Sequence, residues 1–156
     1  MKIRKAKLKD ATKFQKLAKK ADRYPPYWSK SRFPNFIKNK EQLILLAEKK
    51  GKLIGFSGIM KKYHNKRVSN KVDTNRFAYL AWIAVLPELR KKKVGSNLLR
   101  ESEKTAKRLG QKGIWLACRK EVVQFYKKNK YKLGGFFIKE NKGKRFRKYF
   151  MVKELK

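Results

Sequence analysis

The sequence predicts a mixed α/β fold, a sheet carrying helices on its faces, and three observations lead there. Apolar runs of strand length alternate with amphipathic stretches of helical spacing along the chain. Two pairs of strand runs are joined by short glycine-containing segments of hairpin type, and one buried-looking strand leads through a basic turn into a helix. With 41% hydrophobic and 13% aromatic residues among 156, the chain has the material for a core, and a single domain over residues 1–156 is expected.

Residues 3–8 alternate apolar with basic side chains and predict a short strand. Asp10 is then placed as the N-cap of a helix over residues 11–21, where Ala11, Phe14, Leu17, Ala18 and Ala21 recur at helical spacing. Residues 24–34 hold three prolines and four aromatics, which predicts an ordered loop, because aromatics at that density need something to pack on. Residues 42–48 and 53–60 read as strands of a hairpin turning at Gly51, and the polar residues 61–75 as the tip of a second hairpin. A strand over 77–86 precedes a helix over 96–109, with Leu98, Leu99, Ala106 and Leu109 on one face and Gly110 as its stop. A strand over 113–118, a helix over 121–128 and a closing hairpin of 133–139 with 146–154 around Asn141, Lys142 and Gly143 complete the chain.

Charge and composition limit the chemistry. The net charge of +35 sets up a field that attracts anions such as nucleic acid, acidic proteins or phosphorylated cofactors. A general lysine bias accounts for it equally well, since the lysines are spread along the whole chain. Thermophilic ion-pair networks do not, because only eleven Asp and Glu are present. One cysteine, Cys118, excludes an internal disulfide, and with His64 as the sole histidine no Cys/His metal cluster is expected. No apolar run approaches the roughly 20 residues that cross a bilayer. The first five residues lack a signal-peptide core, so no membrane association and a cytoplasmic location are expected.

The most informative segment runs from Tyr79 to Leu99. An apolar strand ends at Leu86, a turn follows with Arg90, Lys91, Lys92 and Lys93, and Val94, Gly95 and Ser96 open a helix. Backbone N–H groups at a helix start, with the positive end of the helix dipole and added cations, suit a phosphate. A solvated basic turn is the alternative.

These segments resemble the GNAT-type N-acetyltransferases, which use acetyl-coenzyme A. The family's pyrophosphate signature, Gln/Arg-x-x-Gly-x-Gly/Ala, reads here from Arg90 to Gly95, with Lys93 at the first glycine. A lysine in ordinary turn angles is expected there. A second stretch, from Gln124 to Tyr131, is similar to the family's Phe-Tyr-x-x-x-Gly-Phe, with Lys130 in place of the glycine and Arg119 at the position of a family asparagine. The resemblance spans nearly the whole chain. It implies a mostly antiparallel mixed sheet of about seven strands, helices on both faces and a splayed central cleft.

For the site, the resemblance implies that backbone groups along Ile83, Ala84 and Val85 meet the pantetheine amides, that Arg90 and the amides of Lys91, Lys92, Lys93, Val94, Gly95 and Ser96 hold the pyrophosphate, and that Tyr126 is the acid for the departing thiolate. The N–H of Val85 would face the oxyanion. No carboxylate base is evident: Glu41, Glu48 and Asp73 are poorly placed by sequence, Tyr79 stands where some members carry a glutamate, and His64 lies in a polar segment. An acceptor amine made more acidic by the surrounding positive field and deprotonated through water is expected instead. Residues 24–36 and 61–75 flank the acceptor in this family, and the aromatics Tyr27, Trp28, Phe33 and Phe36 either line a pocket or cover the sheet.

The function implied is acetyl-CoA-dependent N-acetylation in a direct ternary complex, with acetyl-CoA as co-substrate and no metal. A protein or RNA-associated amine is the favoured acceptor; nucleic acid through the basic surface and a second copy of the chain are further partners. The alternatives are a GNAT-fold protein with weakened catalysis that binds nucleic acid or the ribosome, and a small-molecule acetyltransferase.

Overall fold

A computed structural model describes residues 1–22 and 32–156. Its elements are β1 (Lys2–Lys5), α1 (Ala11–Ala21), α2 (Arg32–Lys38), β2 (Gln42–Lys49), β3 (Lys52–Met60), β4 (Phe77–Val85), α3 (Val94–Arg108), β5 (Gly113–Cys118), α4 (Val123–Lys128), β6 (Lys132–Asn141) and β7 (Lys144–Glu154). The seven strands lie in the order β1-β2-β3-β4-β5-β7-β6. β4 and β5 are parallel over Phe77–Gly113, Ala78–Ile114 and Tyr79–Trp115, whereas β1–β2, β2–β3, β5–β7 and β6–β7 are antiparallel. The mixed, mostly antiparallel seven-strand sheet is therefore present. No helix among the described residues is long and apolar enough to cross a membrane.

The chain divides into two compact units, residues 1–60 with 80–105 and residues 61–79 with 106–156. In the first, the core is made by Phe14, Leu17 and Ala18 of α1, Phe33 and Phe36 of α2, Ile44 and Leu46 of β2, and Phe56 of β3. Phe14 stands 5.0 Å from Phe33 and 4.9 Å, edge-on, from Phe56. Phe33 and Phe36 thus cover the sheet. Residues 24–31 of the aromatic, proline-rich segment lie outside the described residues, and Arg32 to Pro34 already belong to α2. On the face of β3 opposite Phe56, the Ser57 hydroxyl meets that of Ser102 on α3 at 2.9 Å, while Ser102 donates to the Leu98 carbonyl at 2.8 Å. The two faces of this part of the sheet therefore carry α1 with α2 and α3 respectively.

Two details differ from the sequence reading. β1 ends at Lys5, and residues 8–10 form a 3-10 turn. Asp10 precedes α1 but does not cap it: one carboxylate oxygen accepts from the Lys7 amide at 2.8 Å, and both accept from the Arg4 guanidinium at 2.8 and 2.9 Å. Arg4 also reaches Glu48 of β2 at 3.0 Å. This pairing lowers the Asp10 carboxyl from 3.8 to about 2, the Arg4 hydrogen bonds being the largest cause. A carboxyl lowered on folding stabilises fully above its unfolded value and loses that contribution as pH falls through the folded one. Asp10→Asn is expected to cost about 2 kcal/mol near neutral pH. In urea titrations the difference from the wild type should close between pH 4 and 2, and a difference unchanged across that interval would contradict the assignment.

Residues 61–75 connect β3 to its sheet neighbour β4, as a second hairpin requires, but they are not polar throughout. Val68 and Val72 are buried in a core with Trp115 of β5 and Phe150 of β7. An apolar residue every fourth position in an otherwise polar segment is a single helical-type turn, too short for periodicity to register. The two-residue turns Lys50-Gly51 and Lys142-Gly143 both have positive φ at both positions (50° and 76°, 51° and 75°), which matches the right-handed twist of their hairpins.

Candidate functional site

In the first unit β4 carries Ile83 and Ala84 half-buried and Val85 buried, and the chain leaves it through the 3-10 turn Pro87–Leu89. Gly55 of β3 is required for this approach, because a Cβ there would come within 2.9 Å of the Ala84 carbonyl oxygen. After Arg90, residues 91–93 form an exposed turn, and α3 begins at Val94. The Asn97 N–H donates to the Lys93 carbonyl at 3.0 Å, which opens the helical ladder. The amides of residues 93–96 precede that ladder, at the positive end of a 15-residue helix with no acidic residue in its first turn. Such an end suits an anion.

The expectation of ordinary backbone angles at Lys93 is overturned. Its φ is +67°, and that of Lys91 is +61°, both in the left-handed region. The turn keeps the backbone that a glycine would adopt without strain, and the lysine side chain bears the steric cost. Arg90 also departs from a purely electrostatic part. Its Nε donates to the Val85 carbonyl at 3.2 Å and its Nη2 to the Ala21 carbonyl, at the end of α1, at 3.0 Å. Arg90 therefore ties the turn to the end of β4 and caps α1, and the Val85 carbonyl is already engaged.

Tyr126 belongs to the second unit. It is buried at 6% exposure on α4. The helix ends in a Schellman pair of hydrogen bonds, Tyr131 N–H to the Tyr126 carbonyl and Lys130 N–H to the Lys127 carbonyl, both 3.0 Å. The Tyr126 and Tyr131 rings meet edge-on at 5.8 Å, and Phe125 packs edge-on at 5.0 Å. Burial raises the Tyr126 phenol well above its ordinary value, with smaller contributions from the Cys118 thiol and the Tyr79 phenol. The phenol is accordingly protonated throughout the neutral range, as an acid must be before it acts.

Lys130 occupies the left-handed position of that Schellman motif, φ +71°. α3 ends in the same pair of bonds, from Gln111 to Ala106 and from Gly110 to Lys107, but with glycine at the corresponding place. Both positions where the family motifs have glycine and this chain has lysine thus retain the glycine backbone. Lys130→Gly is expected to raise stability by roughly 0.5–1 kcal/mol, the left-handed strain relieved outweighing the freer unfolded chain. An unchanged or lowered urea midpoint would contradict this.

Two of the remaining carboxylates have structural partners. Glu48 pairs with Arg4, and the Asp73 side chain accepts from the Asn75 amide at 3.1 Å in a tight turn. Glu41 is exposed at the start of β2. His64 is exposed, its Nδ1 3.5 Å from the Thr74 hydroxyl. Tyr79 lies between Tyr63 and Trp115, with ring centroids 4.4 Å away on each side, and burial followed by the Tyr63 phenol raises its own phenol to about 12. Sequence reasoning missed this column, because Tyr63 sits in a polar stretch with no periodic signal. Arg119, at the family asparagine, has its guanidinium 5.5 Å over the Phe146 ring. No group of three or more His, Cys, Asp or Glu capable of holding a metal occurs among the described residues.

Comparison with known proteins bears on the family and the fold. A family model described as "Acetyltransferase (GNAT) family" matches residues 12–131. No curated protein matches the sequence significantly. Among solved structures, smu.2055 from Streptococcus mutans UA159 superposes with a TM-score of 0.80 at 21% identity, covering 100% of both chains. An aminoglycoside 6'-N-acetyltransferase complexed with coenzyme A gives 0.79 at 17% identity, over 99% of this chain and 97% of that one. The ribosomal-protein-S18-alanine N-acetyltransferase from Escherichia coli gives 0.74 at 17% identity, over 99% and 93%.

Proposed function

Since the chain belongs to the GNAT acetyltransferase family, we propose that it is an N-acetyltransferase that takes acetyl-CoA as co-substrate and delivers the acetyl group to an amine on a protein or RNA-associated acceptor. The observation that carries the reading is the turn from Arg90 into α3. It combines glycine-like backbone at Lys93, helix-start amides and three exposed lysines where the family holds a pyrophosphate. The coenzyme A complex of the aminoglycoside enzyme supports it by fold. On β4, the backbone of Ile83 and the N–H of Val85 are the groups that would meet the pantetheine amides and the oxyanion.

In the reaction the neutral amine nitrogen attacks the thioester carbonyl, the oxygen takes up negative charge, and the C–S bond breaks as the carbonyl re-forms. Tyr126 gives its phenolic proton to the departing thiolate and recovers one from solvent. Glu48 and Asp73 are engaged elsewhere, so the acceptor nitrogen loses its proton to water. The positive field of the chain favours neutral over cationic amines, and it favours acceptors set among acidic groups or phosphates over polyamines.

The test is thermal unfolding with and without acetyl-CoA, followed by turnover on a panel of acidic peptides, aminoacyl-RNA and aminoglycosides. A ligand at 100 times its Kd adds about 2.7 kcal/mol, a shift of several degrees. Stabilisation by acetyl-CoA with transfer to a peptide or RNA amine is expected. Stabilisation with transfer confined to aminoglycosides would replace the acceptor class, and no stabilisation would overturn the reading.

A further inference from the structure

The β6–β7 ribbon carries a surface unlike the lysine-covered remainder of the chain. Register pairs Phe136 with Tyr149, Ile138 with Arg147 and Glu140 with Arg145, and alternate pairs share a face, so these six side chains line one side of the ribbon. Phe136 is 48% and Ile138 40% exposed, and Leu133, opposite Met151 on the same face, is 45% exposed. The Arg147 guanidinium lies 4.4 Å over the Phe136 ring, and the Phe136 and Tyr149 centroids are 6.1 Å apart. Residues 132–148 hold seven lysines and arginines and a single acidic residue, Glu140.

We propose that this face of the ribbon binds single-stranded nucleic acid, a base stacking on the outer side of the Arg147–Phe136 pair while the flanking cations neutralise phosphates. Exposed aromatic and apolar side chains on an edge strand are an aggregation liability, and their retention beside planar guanidinium groups fits a ligand with flat rings and negative charge. Charge argues against a second copy as the occupant, because two such ribbons would bring their cations together. A single strand is favoured over an acidic protein because each of its nucleotides carries both a flat ring and a phosphate, matching the interleaved rings and cations of this face. Acetyl transfer plays no part in the proposal.

Fluorescence anisotropy with a labelled oligouridylate of about 12 nucleotides, and with a blunt RNA duplex of equal length as a polyanion control, tests it. Phe136→Ala is expected to weaken oligouridylate binding on the order of tenfold and to leave duplex binding, the salt slope and acetyl-CoA binding as in the wild type. Phe136→Trp should restore the affinity, and Arg147→Ala should both weaken binding and reduce the salt slope by about one. Wild-type oligouridylate binding by Phe136→Ala, or an equal loss on both probes, would overturn the proposal in favour of bulk charge. A dimer in sedimentation that Phe136→Ala converts to monomer would overturn it in favour of a second copy.

Discussion

Tyr126→Phe is expected to lower kcat about 100-fold while leaving the Kd for acetyl-CoA within twofold, the scale on which a positioned general acid contributes. Phenylalanine keeps the ring that packs against Phe125 and Tyr131 in the buried end of α4, so folding is not at stake. The pH dependence separates this role from others. Burial raises the phenol above its ordinary value of 10, so it stays protonated, and able to donate, until the pH exceeds 10. Between pH 5 and 9 the rate should therefore rise only with deprotonation of the acceptor ammonium to the neutral amine, and Asp73→Asn should leave that profile unmoved. A kcat unchanged in Tyr126→Phe would move the proton to water, and an acidic limb abolished by Asp73→Asn would restore a carboxylate base.

The second large effect concerns the turn proposed to hold the cofactor, where charge and shape are expected to act through different residues. Arg90→Ala removes the two hydrogen bonds that tie the turn to Val85 and Ala21, each to a charged donor and worth about 1.5–3 kcal/mol. Acetyl-CoA affinity is expected to fall at least tenfold, with a lowered Tm. The side chains of Lys91, Lys92 and Lys93 are exposed, so their expected contribution beyond the backbone amides is charge, which salt screens. Raising ionic strength from 0.05 to 0.5 M should weaken acetyl-CoA binding on the order of tenfold, as the Debye length shrinks to a few ångströms. Lys93→Gly keeps the left-handed backbone and removes one charge, so it should flatten that salt dependence without abolishing binding. Affinity insensitive to salt would assign the binding to close backbone approach alone.

Much of the fold was legible because its signals are local. Strand runs bounded by Lys-Gly turns gave both hairpins, and Leu98, Leu99 and Ala106 gave α3 with its glycine stop. What escaped was set by partners distant in sequence. Asp10 looks like a helix cap until Arg4, itself held by Glu48 of β2 across 44 positions, takes its carboxylate. Ser57 and Ser102, 45 residues apart, are both buried and share a hydrogen bond that no local pattern signals. For the proposed site, the sequence displays the residue types of the Arg90 turn and Tyr126 but not the local geometry they adopt. No pattern in Arg90-Lys-Lys-Lys93 shows that the arginine binds carbonyls or that the last lysine adopts a glycine's φ.

The central claim is that the start of α3 and the turn before it hold the cofactor phosphates, and amide NMR during titration with coenzyme A measures this without knowledge of the acceptor. The amides from Lys91 to Ser96 should shift together, saturating with a single Kd that weakens with salt. Saturable binding that moves other amides and leaves these six in place would contradict the account.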